Sequence, residues 1–268
     1  MRRIIHLSDL HFGRIDPAIL NPLLAFIPDA KPDLVVVSGD LTQRALAEEF
    51  KAARAFLDAI AFPQIVVPGN HDVPLHNPFT RFFSALHKYK KYINADLEPV
   101  YRDDEMIVVG ANTARSLTWK DGRINSCQID SMREQLCKAG DRTKIVVTHH
   151  PFDLPEGAGN GRVVGRSREA MVALAKCGVD MLLAGHFHIA HTGHTATRYK
   201  IQGHSALVVS SGTSTSTRGR GQPNSFNVIE MEQKEIRIER RVWDPGQGNF
   251  SVLSTEKFGS TEQGWARL

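Results

Sequence analysis

Asp9 and His11 stand two residues apart, and His186 and His188 repeat that spacing. In an extended chain residues i and i+2 face the same side, so each pair can present two ligand atoms to one cation. Asp40, Asn70 and His149 add three more oxygen or nitrogen ligands. Seven ligands exceed the needs of one ion and suit two ions that share a bridging carboxylate. Imidazole with carboxylate suits Zn, Fe, Mn, Ni or Co, and the lack of thiolate in the set argues against a structural cysteine-type zinc site. A lone D-x-H is common, and a lone histidine is more often a surface or core residue. The recurrence of the pattern is what counts, because strand-end histidines bring no packing advantage and unpaired carboxylates would cost desolvation.

The elements that must position these residues share one grammar: a short apolar run, then a cluster rich in His and Asp. The segments are "IIHLSDLH" (Ile4 to His11), "LVVVSGD" (Leu34 to Asp40), "QIVVPGNHD" (Gln64 to Asp72), "KIVVTHHP" (Lys144 to Pro151) and "MLLAGHFH" (Met181 to His188). Short β-branched runs bounded by Gly or Pro predict buried strands. Between them, Leu46, Phe50, Ala53, Leu57 and Ile60 recur at helical spacing after Thr42, a predicted N-cap. Further helices are expected over Pro17–Pro28, from Phe79 to Ile93, over Gln128–Ala139 and over Ser167–Cys177. Strands alternating with helices imply a layered α/β fold. In such folds ligands bind beyond the carboxyl ends of the strands, so the five clusters can converge in one crevice.

The last third of the chain alternates like strands, with a hairpin turn at Glu232–Lys234, and predicts a second, partly antiparallel sheet packed on the first within one domain. The expected division is a domain over 1–242 and a C-terminal tail, 243–268, of unassigned role. Two glycine-rich stretches, Pro155–Arg166 and Gly212–Asn224, read as loops, either merely solvated or forming flexible lids whose arginines (Arg162, Arg166, Arg218, Arg220) could fold over an anionic substrate.

The 268 residues carry 33 Lys plus Arg against 29 Asp plus Glu, a formal charge of +4. That suits an anionic ligand but is too weak to argue for nucleic acid, and no basic stripe is present. The three cysteines, Cys127, Cys137 and Cys177, are scattered and odd in number, so no disulfide framework is expected and a reducing, cytoplasmic setting is favoured. The N-terminal apolar run is too short for a signal peptide, and no stretch approaches a membrane span.

The motifs "DLH", "GDLTQ", "GNHD", "THHP" and "GHFH", in that order over about residues 4 to 190, resemble the calcineurin-like metallophosphoesterases. That superfamily includes purple acid phosphatases, class III cyclic nucleotide phosphodiesterases and nucleases of DNA repair. The resemblance implies a four-layer α/β/β/α sandwich of two mixed sheets flanked by helices, with a dinuclear site of Mn, Fe, Zn or Co. It implies that Asp9, His11 and His188 hold one ion, that Asn70, His149 and His186 hold the other, and that Asp40 bridges. His71 would be the catalytic histidine, with Asp72 orienting it or simply capping the turn before Pro74. Two cations about 3.5–4 Å apart would lower the pKa of a bridging water and clamp the phosphoryl oxygens for in-line attack on a phosphodiester. Arg14, Arg44, Asn112, Arg115 and Arg166 are candidate substrate contacts. His150, His191, His194 and His204 are candidates for a supporting shell, and His6, His76 and His87 for bystanders.

The set looks most like the class III cyclic nucleotide phosphodiesterases and related small-molecule enzymes, which implies a small phosphodiester as the substrate. The alternatives are a pyrophosphatase acting on a nucleotide-sugar lipid, a nuclease, or a scaffold that has lost catalysis, as in the retromer subunit. The lipid reading has one candidate surface, the Phe79–Ile93 helix, aromatic on one face and basic on the other. The nuclease reading lacks a DNA-binding domain, and the scaffold reading predicts missing ligands where all seven and His71 are present. Association with a second copy of the chain is left open.

Overall fold

Along the first strand, β1 (Arg2–Leu7), successive side chains enter different cores: Ile4 faces one, Ile5 and Leu7 the other. In β2 (Leu34–Val37), Leu34 and Val36 join Ile4, whereas Val35 and Val37 join Ile5. A strand apolar at every position is buried on both faces. That requirement dictates the layers. The computed structural model describes residues 1–75, 78–116, 120–154, 162–218, 221–232 and 234–268. Of the residues singled out above, His76, the stretch 155–161, Arg220 and Gln233 of the hairpin turn lie outside these.

The remaining strands are β3 (Gln64–Val66), β4 (Val100–Arg102), β5 (Met106–Gly110), β6 (Thr143–Val147), β7 (Met181–Ala184), β8 (His191–His194), β9 (Leu207–Ser210), β10 (Ser225–Met231), β11 (Glu235–Asp244), β12 (Asn249–Thr261) and β13 (Gly264–Arg267). They form two mixed sheets, β13-β12-β11-β10-β1-β2-β3 and β4-β5-β6-β7-β9-β8. Within them β1, β2 and β3 run parallel, as do β5, β6, β7 and β9. The faces turned toward each other enclose one core, including Val36, Ile65, Val108, Ile145, Leu183 and Val209. Outside the first sheet pack α1 (Pro17–Ala30) and α2 (Ala47–Asp58), through Leu23, Phe50 and Leu57. Outside the second pack α5 (Ser126–Cys137) and α6 (Ser167–Lys176), through Met132, Leu136 and Leu174. The result is the α/β/β/α sandwich. Among the described residues no helix is long and apolar enough to cross a membrane.

Several details differ from the sequence reading. The C-terminal strands do not build their own sheet. β10 pairs antiparallel with β1, and β11 to β13 extend that sheet outward. The second sheet is made instead by the segments around Val108, Ile145, Leu183 and Val209. Pairing partners are a matter of topology, which alternation along one strand does not encode. β11 runs across residue 243 without a break, and the segment beyond it forms β12 and β13. Thr42 does not cap α2; Leu46 stands at that position, half exposed, with Glu49 accepting from the Leu46 N–H at 3.1 Å. The predicted helix from Phe79 to Ile93 is two short ones, α3 (Pro78–Phe83) and α4 (His87–Tyr92). They face different neighbours: Arg81 turns inward onto the Ser116 and Pro74 carbonyls, and Tyr89 is buried, donating to Val66 O at 2.9 Å. Phe79, Phe82 and Phe83 remain exposed. A helix of five residues, α7 (Thr195–Tyr199), is too short to leave a period in the sequence.

Cys137 closes α5 and Cys177 follows α6, and packing of those helices joins the two in a disulfide across a sequence separation of 40. This corrects the expectation of unpaired cysteines and removes the sequence-based ground for a reducing setting. Spacing along the chain says nothing about two helix ends brought together by packing. Cys127 is free and exposed. Thiol titration of the denatured, unreduced protein should therefore find one reactive thiol per chain, rising to three after reduction. Three thiols before reduction would show the pair open.

Candidate metal centre

All five cluster-bearing strands end at the same edge of the sandwich, and the turns that follow them are zipped together by their backbones. Asp9 N donates to Gly39 O (3.1 Å), His11 N to Asp40 O (2.9 Å) and Phe12 N to Leu41 O (2.8 Å). Asp9, His11, Asp40, His186 and His188 all adopt left-handed backbone, with φ between 50° and 77°. Non-glycine residues rarely adopt it, and such conformations persist where the surroundings impose them, most often at functional sites. Close approach also demands glycine. A Cβ at Gly39, itself at φ +92°, would lie 2.7 Å from His149 Nδ1, and one at Gly185 would lie 1.8 Å from Ser8 Oγ.

The side chains meet in two overlapping groups. In one, His188 Nε2 lies 3.5 Å and His11 Nε2 3.7 Å from Asp9 Oδ1, and the two imidazole nitrogens are 3.3 Å apart. In the other, Asn70 Oδ1 lies 3.1 Å from His149 Nε2 and 2.9 Å from His186 Nδ1. Asp40 lies between them, with Oδ1 3.3 Å from His149 Nε2 and Oδ2 3.8 Å from His11 Nε2. Ligand atoms of Asp9, Asp40 and His149 also fall within 4.8 Å of one another.

The donor chemistry fits cations. His149 Nδ1 contacts Ser38 O at 2.8 Å, and a carbonyl can only accept, so Nδ1 carries a proton and Nε2 is the nitrogen turned to the cluster. Asp9 Oδ2 is held by Ser8 Oγ (2.8 Å) and His186 N (3.0 Å), whereas the fully buried Oδ1 has no hydrogen-bond donor. Burial depresses the His11 imidazole to about 4 and that of His186 to about 3. His149 is buried too, but the adjoining Asp40 and Asp9 carboxylates outweigh that and raise it to about 9. An imidazole held protonated by buried carboxylates in this way would give up that proton to accept a cation.

His71 sits at the rim. Its N–H donates to Asp40 Oδ1 (2.8 Å), Nδ1 contacts Gln43 O (2.9 Å), and its ring meets that of His11 edge-on at 4.9 Å. Nε2 accepts from the Arg218 guanidinium at 2.9 Å. Asp72 does not orient the His71 ring. Its carboxylate accepts from Gly69 N, Leu41 N, Thr42 N and Thr42 Oγ1, at 2.9–3.2 Å, and so ties the turn after β2 to the turn after β3. Its position two residues past Asn70 aims the side chain at backbone. Burial, reinforced by Asp40, raises this carboxyl to about 6.

Three of the five candidate substrate contacts have local partners of their own. Arg14 and Arg44 are exposed. Asn112 accepts from Ala114 N, Arg115 bonds Gln128, and Arg166 pairs with Glu169 at 3.8 Å. His150 is closer: buried, its Nδ1 2.7 Å from Thr113 Oγ1, it contributes a nitrogen within 4.8 Å of ligand atoms of His149 and His186. His194 packs on Phe258, and with His204 it lines a surface cleft beside Trp265.

Arg218, read only as one loop arginine among four, is the residue that sequence reasoning underrated. The run before it is no flexible lid: Thr213, Ser214, Thr215 and Ser216 are 0–1% exposed. Thr213 Oγ1 donates to Asp9 O and Thr215 Oγ1 to Leu10 O, both at 2.7 Å, while Ser8 and Ser214 exchange bonds of 3.0 Å. Alternating hydroxyls were the available signal.

Residues 2–190 match the calcineurin-like phosphoesterase family, and the chain belongs to it. Over 170 residues it is 30% identical to the glycerophosphodiester phosphodiesterase GpdQ of Enterobacter lignolyticus, a match covering 58% of each chain. It is 24% identical over 221 residues to a probable cyclic nucleotide phosphodiesterase of Moraxella catarrhalis, covering 74% of this chain and 76% of that one. The fold resembles purple acid phosphatase PPD1 of yellow lupin, with a TM-score of 0.74 at 16% identity, over 96% of this chain and 53% of the other.

Replacing Asp72 by Ala should be costly. It strands three buried backbone donors, those of Leu41, Thr42 and Gly69, while Thr42 Oγ1 keeps His71 O, and each unsatisfied group costs about 1–3 kcal/mol. Urea unfolding of Asp72→Ala should show a loss on the order of 3 kcal/mol or more, with reduced metal retention. Wild-type stability would mean the two turns are held by other bonds.

Proposed function

We propose that the chain is a metal-dependent phosphoric ester hydrolase that prefers phosphodiesters. The convergence of seven ligands around Asp40 carries this reading. In it, Asp9, His11 and His188 hold one cation, Asn70, His149 and His186 hold the other, and Asp40 serves both. The two Asp40 oxygens, facing His149 and His11 respectively, support the shared role. The unpartnered Asp9 Oδ1 supports a cation beside it. Bound cations supply Lewis-acid polarisation of a phosphoryl group and a lowered pKa for water. The chain's own part is positional. The Ser38 carbonyl fixes the tautomer of His149, Asp72 keeps the two turns together, and His71 faces the phosphoryl group without holding metal. The fixed backbone around the ligands makes the site preorganised, which is where electrostatic catalysis gains most.

Preference for diesters is supported by the names of the relatives and by charge. A dianionic monoester asks for more basic groups than a monoanionic diester. Among the described candidates, Arg218 alone reaches the rim, and the other arginines weighed are exposed or paired elsewhere. A small-molecule diester is the substrate class this reading assigns.

Two measurements test this. Elemental analysis of protein purified without chelator should approach two transition metals per chain, and Asp40→Ala should lower occupancy of both sites and abolish turnover. Saturation at one metal, or an Asp40→Ala enzyme with normal metal content, would overturn the shared carboxylate. Separately, kcat/KM for bis(4-nitrophenyl) phosphate should exceed that for 4-nitrophenyl phosphate at the same metal and pH. The reverse order would make the protein a monoesterase on the same metal clamp.

A further inference from the structure

We propose that Arg218 binds the substrate's phosphoryl oxygens, with His71 holding its guanidinium in place. This rests on the phosphoesterase reading and deepens it. Three observations carry it. First, Arg218 is delivered by a rigid support. The Thr213–Ser216 run is buried and bonded to the backbone of residues 8–14, so it moves with Asp9 and His11. Thr217 N donates to Arg14 O at 3.0 Å, and Arg218 N to Ser216 Oγ at 3.0 Å. The chain is thus fixed up to the residue itself.

Second, the guanidinium is aimed. His71 Nδ1 faces a carbonyl, which fixes its proton there and leaves Nε2 as an acceptor. Arg218 donates to that Nε2 at 2.9 Å, with the Gln43 side-chain oxygen at 3.5 Å from the same nitrogen. His71 is in turn tied by its backbone to Asp40 and stacked edge-on against His11. The cation therefore stands one imidazole away from the ligand cluster.

Third, the guanidinium keeps capacity to spare. It has five N–H donors in a planar fork, and the two contacts above, His71 Nε2 and the Gln43 side-chain oxygen, engage one of its nitrogens. No ion pair of Arg218 with a carboxylate is formed among the described residues. A half-buried arginine held by a neutral ring and lacking an acidic partner suits a phosphoryl group, whose oxygens match the fork in bidentate fashion. Lysine, a point charge on a flexible stem, would lack both the fork and the fixed aim.

The experiment uses metal-loaded, full-length wild type, Arg218→Gln, Arg218→Lys, His71→Ala and the double variant His71→Ala/Arg218→Gln. Inorganic phosphate is the binding probe, followed by calorimetry, and bis(4-nitrophenyl) phosphate is the substrate. Arg218→Gln should keep metal content and thermal midpoint while weakening phosphate binding on the order of 10-fold or more, as expected for loss of one charge-assisted contact. Arg218→Lys should recover only part. KM should rise more than kcat falls, and the double variant should bind phosphate no worse than Arg218→Gln, because the histidine acts through the arginine in binding. Unchanged phosphate affinity and KM in Arg218→Gln would overturn the proposal, as would strictly additive losses in binding. If Arg218→Gln proved poorly folded, Arg218→Lys with wild-type affinity and KM would overturn it equally. The two readings separate cleanly. Phosphate binding that weakens in Arg218→Gln, in a wild type that hydrolyses neither ester, upholds the arginine and sinks the hydrolase. Diester turnover with an indifferent Arg218 does the opposite, and a wild type that binds no phosphate overturns the arginine's role.

Discussion

Burying two carboxylates at one point is the constraint on which the rest depends. Asp9 and Asp40 are 0% and 1% exposed, and neither could stay ionised there without positive charge close by. Burial alone would raise both carboxyls, yet neighbouring imidazoles hold them below their ordinary range, His188 and His149 acting on Asp9 and His149 and His71 on Asp40. Cations are better at this than a shared proton, because they can satisfy several lone pairs at once. The cluster, the left-handed turns and the glycines that let backbones touch all serve to hold those two charges where a metal can meet them.

Holding them so is costly locally. Five ligand-bearing residues in the left-handed region each cost of the order of 1–3 kcal/mol. The offset comes from a seam of hydroxyls. Thr213, Ser214, Thr215 and Ser216 bond backbone groups of residues 8–14, and the Asp72 carboxylate does the same for the turns after β2 and β3. Polar residues thus act as the packing layer beneath a polar site, where apolar ones would leave carbonyls unpaired.

Much of this was legible in the sequence, for definite reasons. The runs "LVVV", "IVV" and "MLLA" are apolar at every position because both faces of each sheet are covered, and the candidate metal-binding residues follow them at the strand ends. What was not legible depends on contacts between distant segments. The pairing of β1 with β10, the Cys137–Cys177 bond and the burial of "TSTS" are each created by tertiary approach. "TSTS" reads as solvated loop by composition, yet every one of its residues finds a backbone partner. Arg218 was likewise hidden, since an arginine in a glycine-rich stretch is ordinary until its support is known to be stiff. Asp72 was left between orienting His71 and capping a turn because adjacency in sequence suggests contact, while the tight turn of Asn70–Asp72 sends the two side chains to different partners.

The antiparallel pairing of β1 with β10 has a bearing on biosynthesis. Arg2 pairs with Met231 and His6 with Asn227, so one long side of the first strand has no hydrogen-bonding neighbour until residues 227–231, more than two hundred positions later, have emerged from the ribosome. For that whole interval an apolar edge, "IIHL", is open to pairing with other nascent chains. The seam that secures Asp9 comes from the same late segment, so a nascent chain holding all seven ligands up to His188 still lacks the scaffold that fixes them. A chain released before β10 would carry every motif of the family without the seam and the strand pairing that hold those motifs together.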